Sequence, residues 1–449
     1  MKKIGKAILS LFCAATLFVG VTACNEEVVN AYDIAVKNGF VGTEKEWLES
    51  LHGANGKDAE DITARDLYET AKEEGFTGSF LDFCKELGLT VVENNDVDRI
   101  SKNIMSVVSV NCGFSYTNKG LGGSGISYYT SAGSGVILDV NKQAGNALIV
   151  TNYHVAVDPT SNERGASRNI CLYGYGALNY FDPQNGDTKG NGMRATYVGG
   201  AVEYDIALLK VEGSDYIKNG NLQAAKLGES DSVSIGEKVY AIGNPEDMGI
   251  SITGGLISVE SEYITMEVQN SQIDYRVIRT DAAINAGNSG GGLFDAEGNL
   301  IGIVNAKTIG EETDNMGYAL PITQVKNLCD NMLDNGGVIK RAMLGITLDI
   351  SESTVIQDLS GELKLTEKFF VAQAVTSEKA AFGKLRYGDV IKYIVLHGER
   401  TDFTRQYQIN DELLKVRKGD TVTLGIERDG SAMEVEIKFD KNSYFVVYS

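Results

Sequence analysis

The chain has 449 residues, 43% of them hydrophobic and 23% charged, which is ordinary for globular proteins and allows roughly two to four domains. A formal charge of −20 excludes a polyanion-binding surface, so no nucleic-acid partner is expected, and only 4 prolines argue against long disordered linkers. Glycine is the one excess, at 51 residues, as in folds with many tight turns and close backbone approaches.

Residues 1–24 read MKKIGKAILSLFCAATLFVGVTAC: a basic start, an apolar run from Ala7 to about Gly20, then small residues. This is the pattern of an export signal, and its apolar run is shorter than the ~20 residues a spanning helix needs. Val21-Thr22-Ala23-Cys24 resembles the lipobox of bacterial lipoproteins, which implies a leader over 1–23 and acylation of Cys24. The mature chain is then expected outside the cytoplasm and tethered to a membrane through Cys24.

Between 24 and 104 a motif recurs. Residues 31–51 match 67–87 at a constant offset: Tyr32 with Tyr68, Ala35 with Ala71, Gly39-Phe40 with Gly75-Phe76, Trp47 with Phe83 and Leu51 with Leu87. Each copy predicts a short helix stopped by glycine, then a second helix opened by a capping box at Thr43 and Glu46 or at Ser79 and Asp82. Repeats this small bury little surface alone, and a stalk is the simplest reading.

From 105 to 335 short β-branched runs are broken by glycine, as in Gly135–Leu138, Ala147–Val150, Ile206–Leu209, Val239–Ile242 and Leu300–Val304. That rhythm predicts an all-β domain, a sandwich or a barrel. Residues 341–449 mix strands with one helix expected around Asn410–Val416, an α+β module of its own. The cysteines beyond the leader, Cys84, Cys112, Cys171 and Cys329, form no C-x-x-C pair, so no zinc site, metal or cofactor is expected and no disulfide can be assigned.

Cleaving an amide with an alcohol nucleophile needs a base beside the alcohol, a group to orient that base, and donors for the developing oxyanion. Of the 3 histidines, only His154 falls in the β region, at the end of the apolar run Ile149-Val150-Thr151-Asn152-Tyr153-His154. Asp205 enters the buried run Ile206-Ala207-Leu208-Leu209, where a carboxylate needs a partner and an imidazole N–H is a suitable one. Ser289 lies in Ala286-Gly287-Asn288-Ser289-Gly290-Gly291, whose glycines let the chain turn so that the Gly287 and Ser289 N–H groups face one point. The three stand in the order His, Asp, Ser, as in chymotrypsin. Six residues before Ser289, at the expected base of the specificity pocket, stands Ala283. With no charge there, and Tyr318 narrowing the pocket, small aliphatic residues are expected before the cleaved bond.

From about 105 to 445 the chain resembles the HtrA (Deg) serine proteases. The stretches that carry the resemblance are Gly133-Ser134-Gly135-Val136-Ile137, Thr151–Val155, Asp205–Leu209, Ala241-Ile242-Gly243-Asn244-Pro245, Thr280–Gly291 and Gly317-Tyr318-Ala319-Leu320-Pro321. The resemblance implies a mainly β, chymotrypsin-like double barrel, an ATP-independent endopeptidase of unfolded exported proteins, and a homotrimer. Met343-Leu344-Gly345-Ile346 resembles the carboxylate-binding loop of a PDZ domain. Leu344, Gly345 and Ile346 would then take C-terminal peptide segments and regulate cleavage. Two departures stand out: Ser377-Glu378-Lys379-Ala380 lacks the proline usual in the family, and the stretch between His154 and Asp205 is long, with a tyrosine- and glycine-rich insert over Tyr173–Gly192. The alternative expectation is a non-hydrolytic chaperone or peptide-binding scaffold on the same fold.

Overall fold

The glycine-broken β-branched runs fold as strands that close into two barrels. The computed structural model describes residues 96–448 apart from 121–122, 269–270, 307–315, 358–362 and 374–376, together with Val36, Thr43 and Lys72. The leader, Cys24 and, those three residues aside, both helical repeats lie outside the described residues. The chain divides into Met1–Asn94 and Asn95–Ser449, and all the elements below belong to the second unit.

After helix α1 (Asp96–Asn103), the first barrel is built from β1 (Val107–Gly120), β2 (Gly123–Asn141), β3 (Asn146–Thr151), β6 (Asn169–Gly174), β9 (Met193–Ala201) and β10 (Ile206–Val211). It closes in the order β1-β2-β3-β10-β9-β6. A one-turn helix, α2 (Tyr153–Ala156), follows β3. The pairs β4 (Val157–Asp158) with β5 (Gly165–Ala166) and β7 (Phe181–Asp182) with β8 (Gly186–Asp187) are two-residue ladders in the connections, and α3 (Asp215–Asn219) follows β10. The second barrel runs β11 (Lys238–Gly243), β12 (Ser251–Val268), β13 (Ser271–Thr280), β14 (Gly292–Asp295), β15 (Leu300–Asn305) and β16 (Gly317–Pro321), closed as β11-β12-β13-β16-β15-β14.

Strand alternation explains how the barrels join. Along β10, Ala207, Leu209 and Val211 pack into the first barrel's core with Val110, Ile149 and Leu172. Ile206 and Leu208, on the other face, join Val136 and Val150 in a cluster that continues into Ile242, Phe294 and Ile303 of the second barrel. Each such fully buried side chain contributes about 1.5–3 kcal/mol, so the seam between barrels is part of the core.

Helix α4 (Ile322–Asp334) leads out of the second barrel, and β17 (Ile339–Ala342) pairs with the final strand, β24 (Phe445–Tyr448). Between them lies a module with its own core, from Leu344 and Phe369 to Ile437 and Phe439. Its sheet orders β18 (Thr347–Gln357), β19 (Leu363–Gln373), β20 (Val390–Leu396), β22 (Thr421–Arg428) and β23 (Ser431–Lys438), with β21 (Glu399–Asp402) paired to β20. The helix expected at Asn410–Val416 is α5 (Gln408–Lys415). Its Ile409 and Leu413 enter the module core, while Leu414 enters the core of the barrels.

The junction between barrel and module is charged. Arg276 of β13, only 3% exposed, lies 3.0 Å from Asp411 of α5, 3.5 Å from Asp231 and over the Tyr407 ring. Arg405 bridges Glu260 of β12 and Glu367, and Arg417 pairs with Asp334 of α4. A cavity of about 320 Å³ opens there, lined by Tyr204, Tyr263, Tyr275, Arg341 and Tyr448 among others. Cys112, Cys171 and Cys329 are buried free thiols.

Candidate active site

His154 is aimed by the burial of its neighbours. β3 ends at Thr151, Asn152 is extended and fully buried, and the helix turn that follows sinks Val155 and Ala156 into the first-barrel core, leaving the His154 side chain 26% exposed. Asp205 ends a turn closed by its own N–H on the Val202 carbonyl (3.2 Å) and adopts a left-handed conformation (φ 48°). That region is costly for most side chains and tolerated by aspartate. Its neighbours hold it there: the Asp205 carbonyl accepts from Tyr153 N–H (3.1 Å) and Asn152 Nδ2 (2.9 Å).

The Asp205 carboxylate, 1% exposed, accepts from the His154 backbone N–H (3.1 Å) and lies 2.8 and 3.0 Å from His154 Nδ1. Asn305 Nδ2, at the end of β15 in the second barrel, donates to Asp205 Oδ2 at 3.0 Å. An ionised carboxylate only accepts, so the neutral imidazole carries its proton on Nδ1 and turns a lone pair outward on Nε2.

Ser289 belongs to a loop that grips both barrels. Its carbonyl accepts the Ser134 N–H of β2 at 2.7 Å, and its hydroxyl accepts the Ala306 N–H at 3.1 Å. Among the described residues no hydrogen bond joins that hydroxyl to His154. Gly290 (φ 86°) is required here, because a Cβ would lie 2.1 Å from the Ser134 carbonyl and 2.4 Å from Thr151 Oγ1.

Gly287 (φ 91°) has the same constraint, since a Cβ would meet the Asn244 carbonyl at 2.4 Å. The Ala286 carbonyl accepts the Glu246 N–H at 2.9 Å, so in a trans peptide the Gly287 N–H points the opposite way. Neither the Gly287 nor the Ser289 N–H has an acceptor among the described residues.

Ala283 is exposed, and its carbonyl accepts from Thr253 Oγ1 at 2.9 Å. Beside it, Ile284 Cδ1 stands 2.6 Å from where a Cβ on Gly317 would be, so an apolar chain lines the space that glycine leaves. Tyr318 is buried, with its hydroxyl on Met316 Sδ at 3.6 Å. The Tyr173–Gly192 insert docks beside the site, where Asn179 Nδ2 donates to both Asp247 oxygens (3.1 and 2.9 Å). In the C-terminal module the Leu344 carbonyl accepts the Ala381 N–H (3.2 Å), and Gly345 (φ 80°) sits against Lys379. The N–H groups of Leu344, Gly345 and Ile346 have no acceptor among the described residues.

Residues 133–303 match the trypsin-like peptidase domain family. Over 364 residues the chain is 31% identical to the serine protease Do-like HtrA of Lactococcus lactis subsp. cremoris (strain MG1363), covering 78% of this chain and 80% of that one. The chain belongs to the HtrA family of serine proteases. The periplasmic serine endoprotease DegP of Escherichia coli (strain K12) is likewise 31% identical, over 72% of this chain and 60% of its own length. A solved structure of the HtrA-type protease AlgW with a decapeptide is similar at 24% identity and a TM-score of 0.48, covering 77% of this chain and 98% of that one.

As an HtrA protease the chain is a serine endopeptidase of mainly β fold. Sequence reasoning brought His154, Asp205 and Ser289 forward and missed Asn305, Ile284 and Ser134. Asn305 had a signal: it is the single polar residue closing the buried run Leu300-Ile301-Gly302-Ile303-Val304, and a buried amide needs a partner. Ile284 and Ser134 stand in stretches that carry the family resemblance, but nothing in the sequence singles either out as a site residue.

Proposed function

We propose that this HtrA protease cleaves unfolded or damaged exported proteins with Ser289 as nucleophile. The observation that carries the reading is the buried Asp205 carboxylate on His154 Nδ1, fixed from the other barrel by Asn305. His154 Nε2 removes the Ser289 proton as Oγ attacks the carbonyl carbon, and Asp205 stabilises the imidazolium that forms. The Gly287 and Ser289 N–H groups receive the oxyanion, His154 returns the proton to the leaving amine, and water repeats the sequence on the acyl-enzyme. No cofactor enters any step. Ala283 and Ile284 present no charge to the side chain before the cut bond, which favours small aliphatic residues there and leaves a Lys or Arg unpaired.

In this reading residues 1–23 are removed, Cys24 carries the lipid, 24–104 form a spacer with two helical repeats, 105–335 form the protease and 341–449 a PDZ domain, within a homotrimer. Among the described residues the N–H groups of Leu344–Ile346 have no acceptor and β18 ends its sheet, which suits capture of a C-terminal carboxylate with the peptide added as a further strand.

The test is a casein digest by purified residues 25–449 beside Ser289→Ala, with cut sites read by mass spectrometry. Cleavage by the parent alone, mostly after Val, Ala or similar residues, is expected; equal cleavage by Ser289→Ala rejects the nucleophile, and cuts mostly after Lys, Arg, Asp or Glu reject the pocket. Cys24→Ser moves the protein out of the salt-washed membrane fraction, and retention there rejects the anchor. A peptide acid binds residues 341–449 in the full chain more tightly than its amide; equal affinity by calorimetry rejects carboxylate capture.

A further inference from the structure

The hydroxyl of Ser134 has a place in the site that the three reacting side chains do not explain. Ser134 is fully buried on β2 of the first barrel, yet the partners of its hydroxyl belong to the second. Its Oγ donates to the Gly287 carbonyl at 2.7 Å and accepts the Asn244 N–H at 2.8 Å. Its own N–H holds the Ser289 carbonyl at 2.7 Å, and its carbonyl accepts Thr151 Oγ1 at 2.6 Å, two residues before the helix turn that carries His154. One residue therefore ties the nucleophile, the Gly287 peptide and the base-bearing segment together.

We infer that Ser134 is a positioning residue for the oxyanion hole: its hydroxyl fixes the Gly287–Asn288 peptide so that the Gly287 and Ser289 N–H groups converge before substrate arrives. The inference rests on Ser289 being the nucleophile. A glycine can rotate its flanking peptides at little steric cost, so Gly287 by itself does not hold one orientation. The Glu246 N–H anchors the peptide before it, and the peptide after it is anchored at its carbonyl by the Ser134 hydroxyl and at its N–H by the Asn285 carbonyl (3.0 Å). Asn244 makes that second anchor directional. Because its N–H donates into Ser134 Oγ, the hydroxyl proton is directed to the Gly287 carbonyl. Asn244 is itself fixed, donating from Nδ2 to Ser109 Oγ (2.7 Å) and Asp247 Oδ1 (2.9 Å) and accepting the Gly249 N–H on Oδ1 (2.8 Å).

Preorganised donors act on the transition state and leave ground-state binding largely alone, which separates this role from simple stabilisation. Removing one oxyanion donor outright costs about 10²–10³-fold in kcat, and releasing its anchor should cost less, about 10–100-fold. The experiment compares the full chain with Ser134→Ala on a fluorogenic peptide and on a peptide boronate that mimics the tetrahedral intermediate. We expect kcat to fall about 10–100-fold with KM within about twofold, and the boronate Ki to rise by a similar factor. The fluorophosphonate titration endpoint and the melting temperature, measured alongside, report the folded fraction. An unchanged kcat, an unchanged boronate Ki, or a rate loss matched by a lost titration endpoint overturns the inference. If Ser134→Ala does not fold, Ser134→Cys keeps a weak donor of similar size, and its boronate Ki must still rise. Ser289→Ala with parental activity would reject the nucleophile instead, an outcome separate from all of these.

Discussion

The two seams of this HtrA protease are built from different chemistry. The seam between the barrels is apolar, with hydrogen bonds from the uncharged side chains of Ser134, Asn152 and Asn305 arranged around a single buried carboxylate, Asp205. The seam between the second barrel and the C-terminal module adds charge to the apolar contact of Leu414: Arg276 with Asp411 and Asp231, Arg405 with Glu260, and Arg417 with Asp334. Directional bonds from uncharged donors in a packed core hold atoms to a fixed geometry. Buried ion pairs carry a desolvation penalty that their attraction offsets only in part, so such a seam responds to protons and to loss of one partner. Substitutions at the first seam should change chemistry at constant stability, and substitutions at the second should do the reverse.

The sharpest break is Asp205→Asn. The amide keeps the shape but can present its N–H to Nδ1, favouring the wrong tautomer, and kcat should fall about 10⁴-fold as in the general triad. Peptide-hydrolysis rates together with the melting curve check it; a large loss of stability in place of the rate loss would make Asp205 a structural residue.

At the other seam, Arg276→Met leaves Asp411 buried without its cation. Stability should drop by about 3–5 kcal/mol, while kcat of the folded fraction, normalised by active-site titration, stays near the parent value. Urea unfolding provides the number, and an equal fall in normalised kcat would show that the two seams are coupled.

Asn305→Ala tests the smaller support of the first seam. A hydrogen bond to a charged group contributes about 1.5–3 kcal/mol, so kcat should fall about 10–100-fold as Asp205 loses its anchor from the second barrel. Steady-state kinetics would show the effect in kcat more than in KM. An unchanged kcat would leave the Asp205 orientation entirely to the first barrel.

The last effect is graded. Burial pushes the Asp411 carboxyl up to about 6, outweighing the pull of Arg276, with Asp231 and Glu412 adding repulsion and Gln324 a stabilising hydrogen bond. A folded value above the ordinary carboxylate value means that the native state holds the extra proton. The stability this group contributes is complete below the ordinary value and is lost as pH rises through about 6. Burial pushes the hydroxyl of Tyr407, packed on Arg276, up to about 12, well above this window. Relative to Asp411→Asn, the parent should therefore lose stability as pH rises from about 4 to about 7, as followed by urea midpoints. A parallel pair of profiles would place the proton elsewhere.

Read along the chain, the local code was strong for elements and weak for partners. The five β-branched runs became parts of β2, β3, β10, β11 and β15, because short apolar β-branched runs bounded by glycine are a local strand signal, and β10 and β15 are buried on both faces. His154 stood out as the histidine of the β region, and Ser289 by its glycines. Ile284 did not stand out, because an isoleucine beside an alanine reads as core until Gly317 is seen to leave room for it. Asn305 and Asp205 lie 100 residues apart and meet only because β15 ends at the seam beside the turn before β10.

By itself, then, the sequence determined the strands, the glycine-dependent turns at Gly287 and Gly290, and the residue types that can attack, accept and orient. These follow from side-chain chemistry and backbone sterics, which act over a few residues. Only the tertiary structure decided that Ser134 reaches across to Gly287, that Asn305 fixes Asp205 from the opposite barrel, and that Arg276 and Asp411 share one buried junction. Hydrogen bonds and ion pairs are short-ranged, so which groups form them depends on how barrel closure brings distant segments together, and no local pattern records that.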